Sequence, residues 1–397
     1  MPDIDIYLKP LSKQPTARLT ADNNRHTISY HPDADEALSL TMPLRNESYS
    51  HNGLHPIFQM NLPEGALREA IERATAKQYG SDDLTMLTIL GANQIGRIAY
   101  SLAGKKVASQ TESELQLDDL LNHQDAQLFN QLLSRYAQSS GVAGVQPKVL
   151  IDIQSHLTLP AKHYIVKSWG DDYPHLACNE YICMDIAKRA GLNVPKTYLS
   201  DNGKLLISKR FDLDDKGNTK GFEDFCVLQG KGTKQKYDSS IEQCANTIRA
   251  YVSAEYQAQD LADLFKLTLL NIRIRNGDAH LKNIGIQYNS LKHYQQHQVP
   301  ESSRRLAPFY DLVSTIPYIK NDTMALTLTG SKRWPKQKVL HNFARQHCLL
   351  NQVQISKIEE QIEQAISESL PLLEELQNKH SGFEAIGEVM KSLLCFE

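Results

Sequence analysis

The chain opens on short runs in which apolar and polar residues alternate. DIDIYL, ARLTAD and HTISYHP each place every second side chain on one face, with Asn and Asp between the runs, so a set of short strands is expected first. The period then changes. EGALREAIERATAKQYG repeats apolar positions at helical spacing and stops at Gly80, and a second apolar helix is expected near Leu84 to Leu90. GRIAYSLAG returns to strand character. A polar, acidic helical stretch from about Glu112 to Tyr136 leads into the small-residue break AQSSGVAG, which is read as a domain boundary between residues 136 and 137.

Beyond the break, KVLIDI, HLTLP and HYIVKSW are consistent with a small antiparallel sheet. HLACNEYICMDIAKRAGLNVP reads as an amphipathic helix: Leu176, Asn179 or Glu180, Cys183, Ala187 and Ala190 share a face, Gly191 stops it and Pro195 lies beyond. Two strands, KTYLSD and KLLISKRFD, follow around the turn residues Asn202 and Gly203. From about Ser240 the pattern is predominantly helical. Sheet first and helices afterwards predicts an α+β, two-lobed architecture with a cleft at the hinge. The expected parts are an N-terminal subdomain with its connecting helix (1–136), a β-rich lobe (137–228) and a helical lobe (229–397).

Composition narrows the class without naming a function. A chain of 397 residues, 41% apolar and 22% charged, can bury more than one core. A net charge of −3 argues against coating nucleic acid over the whole surface, and the local patch Lys332, Arg333, Lys336 and Lys338 reads as solvated surface. The six cysteines have no CxxC pair and no His spacing that suggests zinc, so reduced and mostly buried thiols are expected. MPDIDIYLKP carries acids and is not a signal peptide, and no stretch approaches the ~20 apolar residues that cross a bilayer. No membrane partner and a cytoplasmic location are expected.

Chemistry concentrates in NGDAHLKN, directly behind the apolar run Leu261 to Ile274 and before the strand-like IGIQY. Asp278 stands five positions before Asn283, the spacing of a kinase catalytic loop in which the Asp accepts the substrate hydroxyl proton and the Asn holds a metal. Asn276 and Gly277 replace the usual His-Arg. The bland alternative is a helix end with Gly277 as stop and Asp278 capping the next turn. Asp311, in LAPFYDLVS, is placed to be the second carboxylate that magnesium needs, although Leu312 and Val313 follow it where Phe and Gly would stand. Otherwise it is an Asx-turn residue. Lys167 lies in the apolar strand HYIVKSW, costly for an ammonium group unless it meets an anion, and Glu180 sits on the next helix to pair it. The competing view is a lysine snorkelling to water. SSGVAGVQPKVL offers Gly141, Ala143 and Gly144 for close approach to phosphates, with Gln146 and Lys148 as donors, but has no Walker spacing. GFEDFCVLQG is read as an interlobe linker whose backbone at Glu223, Asp224 and Phe225 meets an adenine.

In this order, GVAGVQPKVL, YIVKSW, NEYICMDIAKRAGLNVP, LLISKRFD, FEDFCVLQG, NGDAHLKNIGI and LAPFYDLVS resemble the HipA family of bacterial toxin kinases, from about Gly141 to Ser314. MNLPEGALREAI and GRIAYSL also resemble the N-terminal subdomain of full-length members. The resemblance implies an atypical two-lobed serine/threonine kinase fold using ATP and Mg²⁺. It implies a protein substrate, with an aminoacyl-tRNA synthetase as the candidate, and growth arrest through translation. It further implies a HipB-like helix-turn-helix antitoxin that takes the toxin onto operator DNA as a co-repressor. Carried over, Asp278 is the catalytic base, and Asn283 and Asp311 are the metal ligands. Lys167 binds phosphate, Ala143, Gly144, Val145, Gln146, Pro147 and Lys148 form the phosphate loop, and Glu223, Asp224 and Phe225 meet adenine. His280, Lys282 and Tyr310 complete the ATP-binding set. Family members commonly carry a regulatory serine three positions before the loop glycine; here Gly141 stands there and Ala143 at the alternative position, leaving Ser139 and Ser140 upstream as candidate phosphosites. Two rivals share part of the pattern: an aminoglycoside-type small-molecule phosphotransferase, and an inactive kinase-like co-repressor scaffold.

Overall fold

The computed structural model describes residues 3–64, 68–69, 71–72, 82–91, 94–107, 117–122, 157–160, 163–168 and 172–395. Alternation at the start of the chain produces strands β1 (Ile4–Leu8), β2 (Ala17–Asp22) and β3 (Arg25–Tyr30). With β4 (Tyr49–Asn52) and β5 (Ile98–Leu102) they form an antiparallel sheet in the order β4-β3-β2-β1-β5. Strand β4, YSHN, carries no apolar alternation and joins as a half-exposed edge. Helices α1 (Pro56–Gln59) and α2 (Asp83–Leu90) belong to this subdomain, and residues 68–69 and 71–72 are also helical. Asp82 caps α2 by accepting from the Leu84 and Thr85 amides at 3.1 Å, satisfying donors that a helix start leaves free. Ile4, Ile6, Leu19, Ile28, Phe58, Leu87 and Tyr100 form its core, and Val227 from the main body closes the same cluster.

Helix α3 (Leu117–Asn122) is the described part of the acidic stretch. The helix expected to end at Gly80 falls mostly, and KVLIDI and the boundary between 136 and 137 wholly, outside the described residues. Strands β6 (Leu157–Pro160), β7 (Tyr164–Ser168), β8 (Thr197–Leu199) and β9 (Leu205–Lys209) make an antiparallel sheet in the order β6-β7-β9-β8. Helix α4 (Leu176–Arg189) runs between β7 and β8 in the chain and buries Ile182, Cys183, Ile186 and Ala187 in the main core.

The strand-like IGIQY forms a strand within the predominantly helical region. Strand β10 (Gly221–Asp224) pairs with β11 (Gly285–Tyr288), which pairs with β12 (Arg304–Leu306), all antiparallel. Around them lie α5 (Phe225–Leu228), α6 (Ile241–Tyr251), α7 (Ala254–Arg273), α8 (Gln337–His347), α9 (Gln352–Lys379) and α10 (Glu384–Cys395). Helix α7 is buried nearly all round, with Leu261, Leu264, Phe265, Leu267 and Leu270 in the core, each such side chain contributing about 1.5–3 kcal/mol by leaving water. It is the post on which the candidate site stands. Among the described residues no helix is long and apolar enough to cross a membrane. Five of the six free cysteines are buried, Cys395 being exposed. Lys332, Arg333, Lys336 and Lys338 are exposed.

Candidate active site

Helix α7 ends at Ile274, and Arg275 turns the chain away in the left-handed conformation at φ 55°. The reversal therefore falls at Arg275, not at Gly277, and the simple helix-stop reading of NGD does not hold. Asn276, standing where a kinase catalytic loop carries His, is a brace. Its Nδ2 donates to Asn271 Oδ1 at 2.9 Å, and its Oδ1 accepts from the Asp278 amide at 3.1 Å. Gly277 donates to Thr315 Oγ1 at 3.0 Å, and a Cβ there would strike the Asp322 carboxylate and the Thr323 carbonyl. Only glycine fits.

This bracing presents Asp278 at the surface, where its Oδ1 accepts a hydrogen bond from the Tyr237 hydroxyl at 2.7 Å. His280 is buried with its ring 5.2 Å from that of Tyr237, edge to face, and burial pulls its pKa down to about 4. It is neutral at ordinary pH. A short turn, Leu281–Asn283, carries Asn283 inward. Asn283 is buried, its Oδ1 has no hydrogen-bond partner among the described residues, and it lines a cavity with Asn271, Asn276, Tyr310 and Asp311.

Lys167 on β7 does not snorkel. It is 7% exposed, donates to Glu180 Oε1 on α4 at 2.6 Å and pairs with Asp311 Oδ1. Burial pushes the Glu180 carboxyl above its ordinary value while Lys167 pulls it back. Asp311 is held at φ 57°, a conformation uncommon for a residue with a side chain and a mark of a position fixed by its surroundings. A strand, the helix that follows it and a segment 144 residues beyond Lys167 thus meet at one ammonium group.

Tyr310 stacks on Phe211, centroids 5.2 Å apart, and donates to the Lys282 carbonyl at 2.6 Å. The Lys282 ammonium pairs with Glu64 of the N-terminal subdomain, which also lies 3.4 Å from Lys236. Burial alone would raise the Glu64 carboxyl, but the two lysines outweigh it and hold it low. Glu64 and Tyr237 carry no signal in motif spacing: one sits in NLPEG and the other in the turn-rich GKGTKQKYD.

Glu223, Asp224 and Phe225, read above as an interlobe linker, form edge strand β10 and the start of α5 and are buried. The Phe225 amide donates to the Ile284 carbonyl at 2.9 Å and the Asp224 amide meets Met60 Sδ at 3.4 Å. Glu223 accepts from Ser39 Oγ, the Leu40 amide and the Tyr288 hydroxyl at 2.6–2.7 Å. Its side chain is a tie between subdomains. The phosphate-loop residues Ala143, Gly144, Val145, Gln146, Pro147 and Lys148, and the candidate phosphosites Ser139 and Ser140, lie outside the described residues.

A small sheet with one helix, a larger helical body, and a lysine, glutamate and aspartate meeting between them define an atypical kinase-like α+β fold. Residues 140–370 match the HipA-like C-terminal domain and residues 6–101 the HipA N-terminal domain. The chain belongs to the HipA family. It is 28% identical to the Sinorhizobium fredii protein named "Putative kinase Y4dM", over 84% of this chain and 83% of the other. It is 24% identical to the serine/threonine-protein kinase toxin HipA of Shewanella oneidensis, over 88% and 84%. The fold matches a chain in the structure of the Shewanella oneidensis HipA, HipB and operator DNA complex with a TM-score of 0.68 at 20% identity, covering 98% of this chain and 96% of that one.

Proposed function

We propose that this chain is a HipA-type toxin: a serine/threonine protein kinase that moves the γ-phosphoryl group of ATP onto a protein hydroxyl, with Mg²⁺. The observation that carries the reading is the meeting of Lys167, Glu180 and Asp311, the lysine and the second aspartate being 144 positions apart. A scaffold has no need for Lys167, Asp278, Asn283 and Asp311 together. The metal donors fit: the partnerless Asn283 oxygen and the Asp311 carboxylate, for which the Lys167 ammonium now serves as counter-cation, are hard oxygen ligands on one cavity. When bound, the ion supplies charge neutralisation at the phosphate oxygens.

In the transfer, the substrate hydroxyl oxygen bonds to the γ-phosphorus while the bond to the β–γ bridging oxygen breaks, and ADP leaves with that electron pair. Asp278 takes the hydroxyl proton. Lys167 holds phosphate, and Glu180 holds Lys167. Lys282, His280 and Tyr310 line the nucleotide side, with Ala143 to Lys148 as the phosphate loop. The HipB-like antitoxin and operator DNA are proposed as partners because the Shewanella complex of the same fold contains both, and an aminoacyl-tRNA synthetase as substrate on family resemblance.

The test is incubation of the purified chain with γ-labelled ATP, Mg²⁺ and a bacterial lysate. Label in protein that disappears with Asp278→Asn and with Asp311→Asn supports the kinase. Label confined to small molecules means a metabolite phosphotransferase. No label, with intact binding to an antitoxin, leaves a co-repressor scaffold.

A further inference from the structure

The Asp278 backbone is fixed at both ends: its amide donates to Asn276 Oδ1 and its carbonyl accepts from the His280 amide at 2.8 Å. Its side chain, being exposed, has free torsions unless something holds it. Tyr237 does so. Its hydroxyl donates to Oδ1 at 2.7 Å, while Oδ2 has no partner among the described residues. Tyr237 is itself anchored: its ring packs edge to face on His280, the neighbouring Lys236 carbonyl accepts from the Leu281 amide at 3.1 Å, and the Lys236 ammonium lies 3.4 Å from Glu64. Tyr237 is 40% exposed, but a tyrosine has only two soft side-chain torsions, so the contact of its ring with His280 narrows where its hydroxyl can lie.

We infer that Tyr237 is the positioning residue of the transfer reaction: its hydroxyl fixes one oxygen of Asp278 so that the other faces the incoming substrate hydroxyl. A base must lie within hydrogen-bond reach of the proton it removes, and a misplacement of ~1 Å can cost on the order of a hundredfold in rate. The N-terminal subdomain contributes through Glu64, which holds Lys236 and so the segment carrying Tyr237. This inference rests on the kinase reading of Asp278.

The experiment compares wild type, Tyr237→Phe and Asp278→Asn in transfer of γ-labelled phosphate into lysate protein, at fixed lysate and varied MgATP. Tyr237→Phe keeps the ring on His280 and removes only the hydroxyl, so its thermal midpoint stays at the wild-type value. The expected result is a fall of roughly ten- to a hundredfold in the maximal rate with the KM for MgATP unchanged. A merely structural tyrosine would alter neither. A Tyr237→Phe rate equal to wild type overturns the inference. A faster rate also overturns it, because the hydroxyl would then be occupying the place of the substrate. Full activity in Asp278→Asn, or none in wild type, instead sinks the kinase reading beneath it.

Discussion

An ammonium group on an apolar strand must find anions or face a desolvation cost of several kcal/mol, and Lys167 finds two. That logic is visible in YIVKSW, where the lysine has apolar neighbours and Glu180 lies on the next helix. The arrival of Asp311 is not, since nothing local to FYDLV indicates which lysine it meets. Removing one member of a buried pair is worse than never having it, because the other charge stays buried. Lys167→Met is therefore expected to abolish label transfer and to lower stability by about 3 kcal/mol, read from urea unfolding. Unfolding at the wild-type midpoint would show that Glu180 is not dependent on it. Asn283 makes the same point in reverse: its spacing from Asp278 was legible, but its unpartnered oxygen appears only once the loop is folded over the cavity.

At the scale of elements, strands β1–β3, β5–β9 and β11 and helices α2 and α4 fall where the sequence placed them: β2 and β3 show a buried and an exposed face, whereas β1, β7, β9 and α2 are buried on nearly every side and were legible as short apolar runs. The segment GFEDFC, read as a linker, is a strand and a helix start. A short apolar run between lobes looks like a linker, yet it becomes β10 because β11, far along the chain, offers a strand edge with which to pair. The loop that carries Asp278 depends on the same kind of distant packing. Gly277 is required by the approach of Asp322 and Thr323, so Gly277→Ala must push one of them away. The expected outcome is a loss of about 1–3 kcal/mol, with a larger loss of transfer activity as Asp278 shifts, measured by thermal unfolding and label incorporation on the same preparation. Activity and stability both at wild-type level would mean the loop yields without cost.

For the molecule as a whole, the N-terminal subdomain is joined to the body through Glu223. The carboxyl is buried among Ser39, Leu40 and Tyr288, and burial raises its pKa to about 7. In the unfolded chain it titrates near 4.5, so between that value and about 7 the folded protein holds a proton that the unfolded chain has lost. Stability from this group therefore falls as pH rises through that window and is unaffected below it. Glu223→Gln keeps the shape, accepting from Leu40 and Tyr288 and donating to Ser39, without ionising. The variant is expected to match wild type near pH 5 and to unfold at higher temperature than wild type at pH 8. A wild-type advantage that grows with pH would reverse the assignment.

By itself the sequence determined the two-lobed α+β order, the family, and the pairing of chemistry types at fixed spacing, because periodicity and loop spacing are local properties that one stretch of chain carries alone. Only the tertiary structure decided that Asp311 meets Lys167, that the Glu223 side chain ties the subdomains, and that Tyr237 and Glu64 attend the loop of Asp278. Those are contacts between segments far apart in sequence. Those of Lys167 and Glu223 exist because burial leaves these polar groups no partners but one another, whereas those of Tyr237 and Glu64 form at a partly exposed surface where the folded chain brings the segments together.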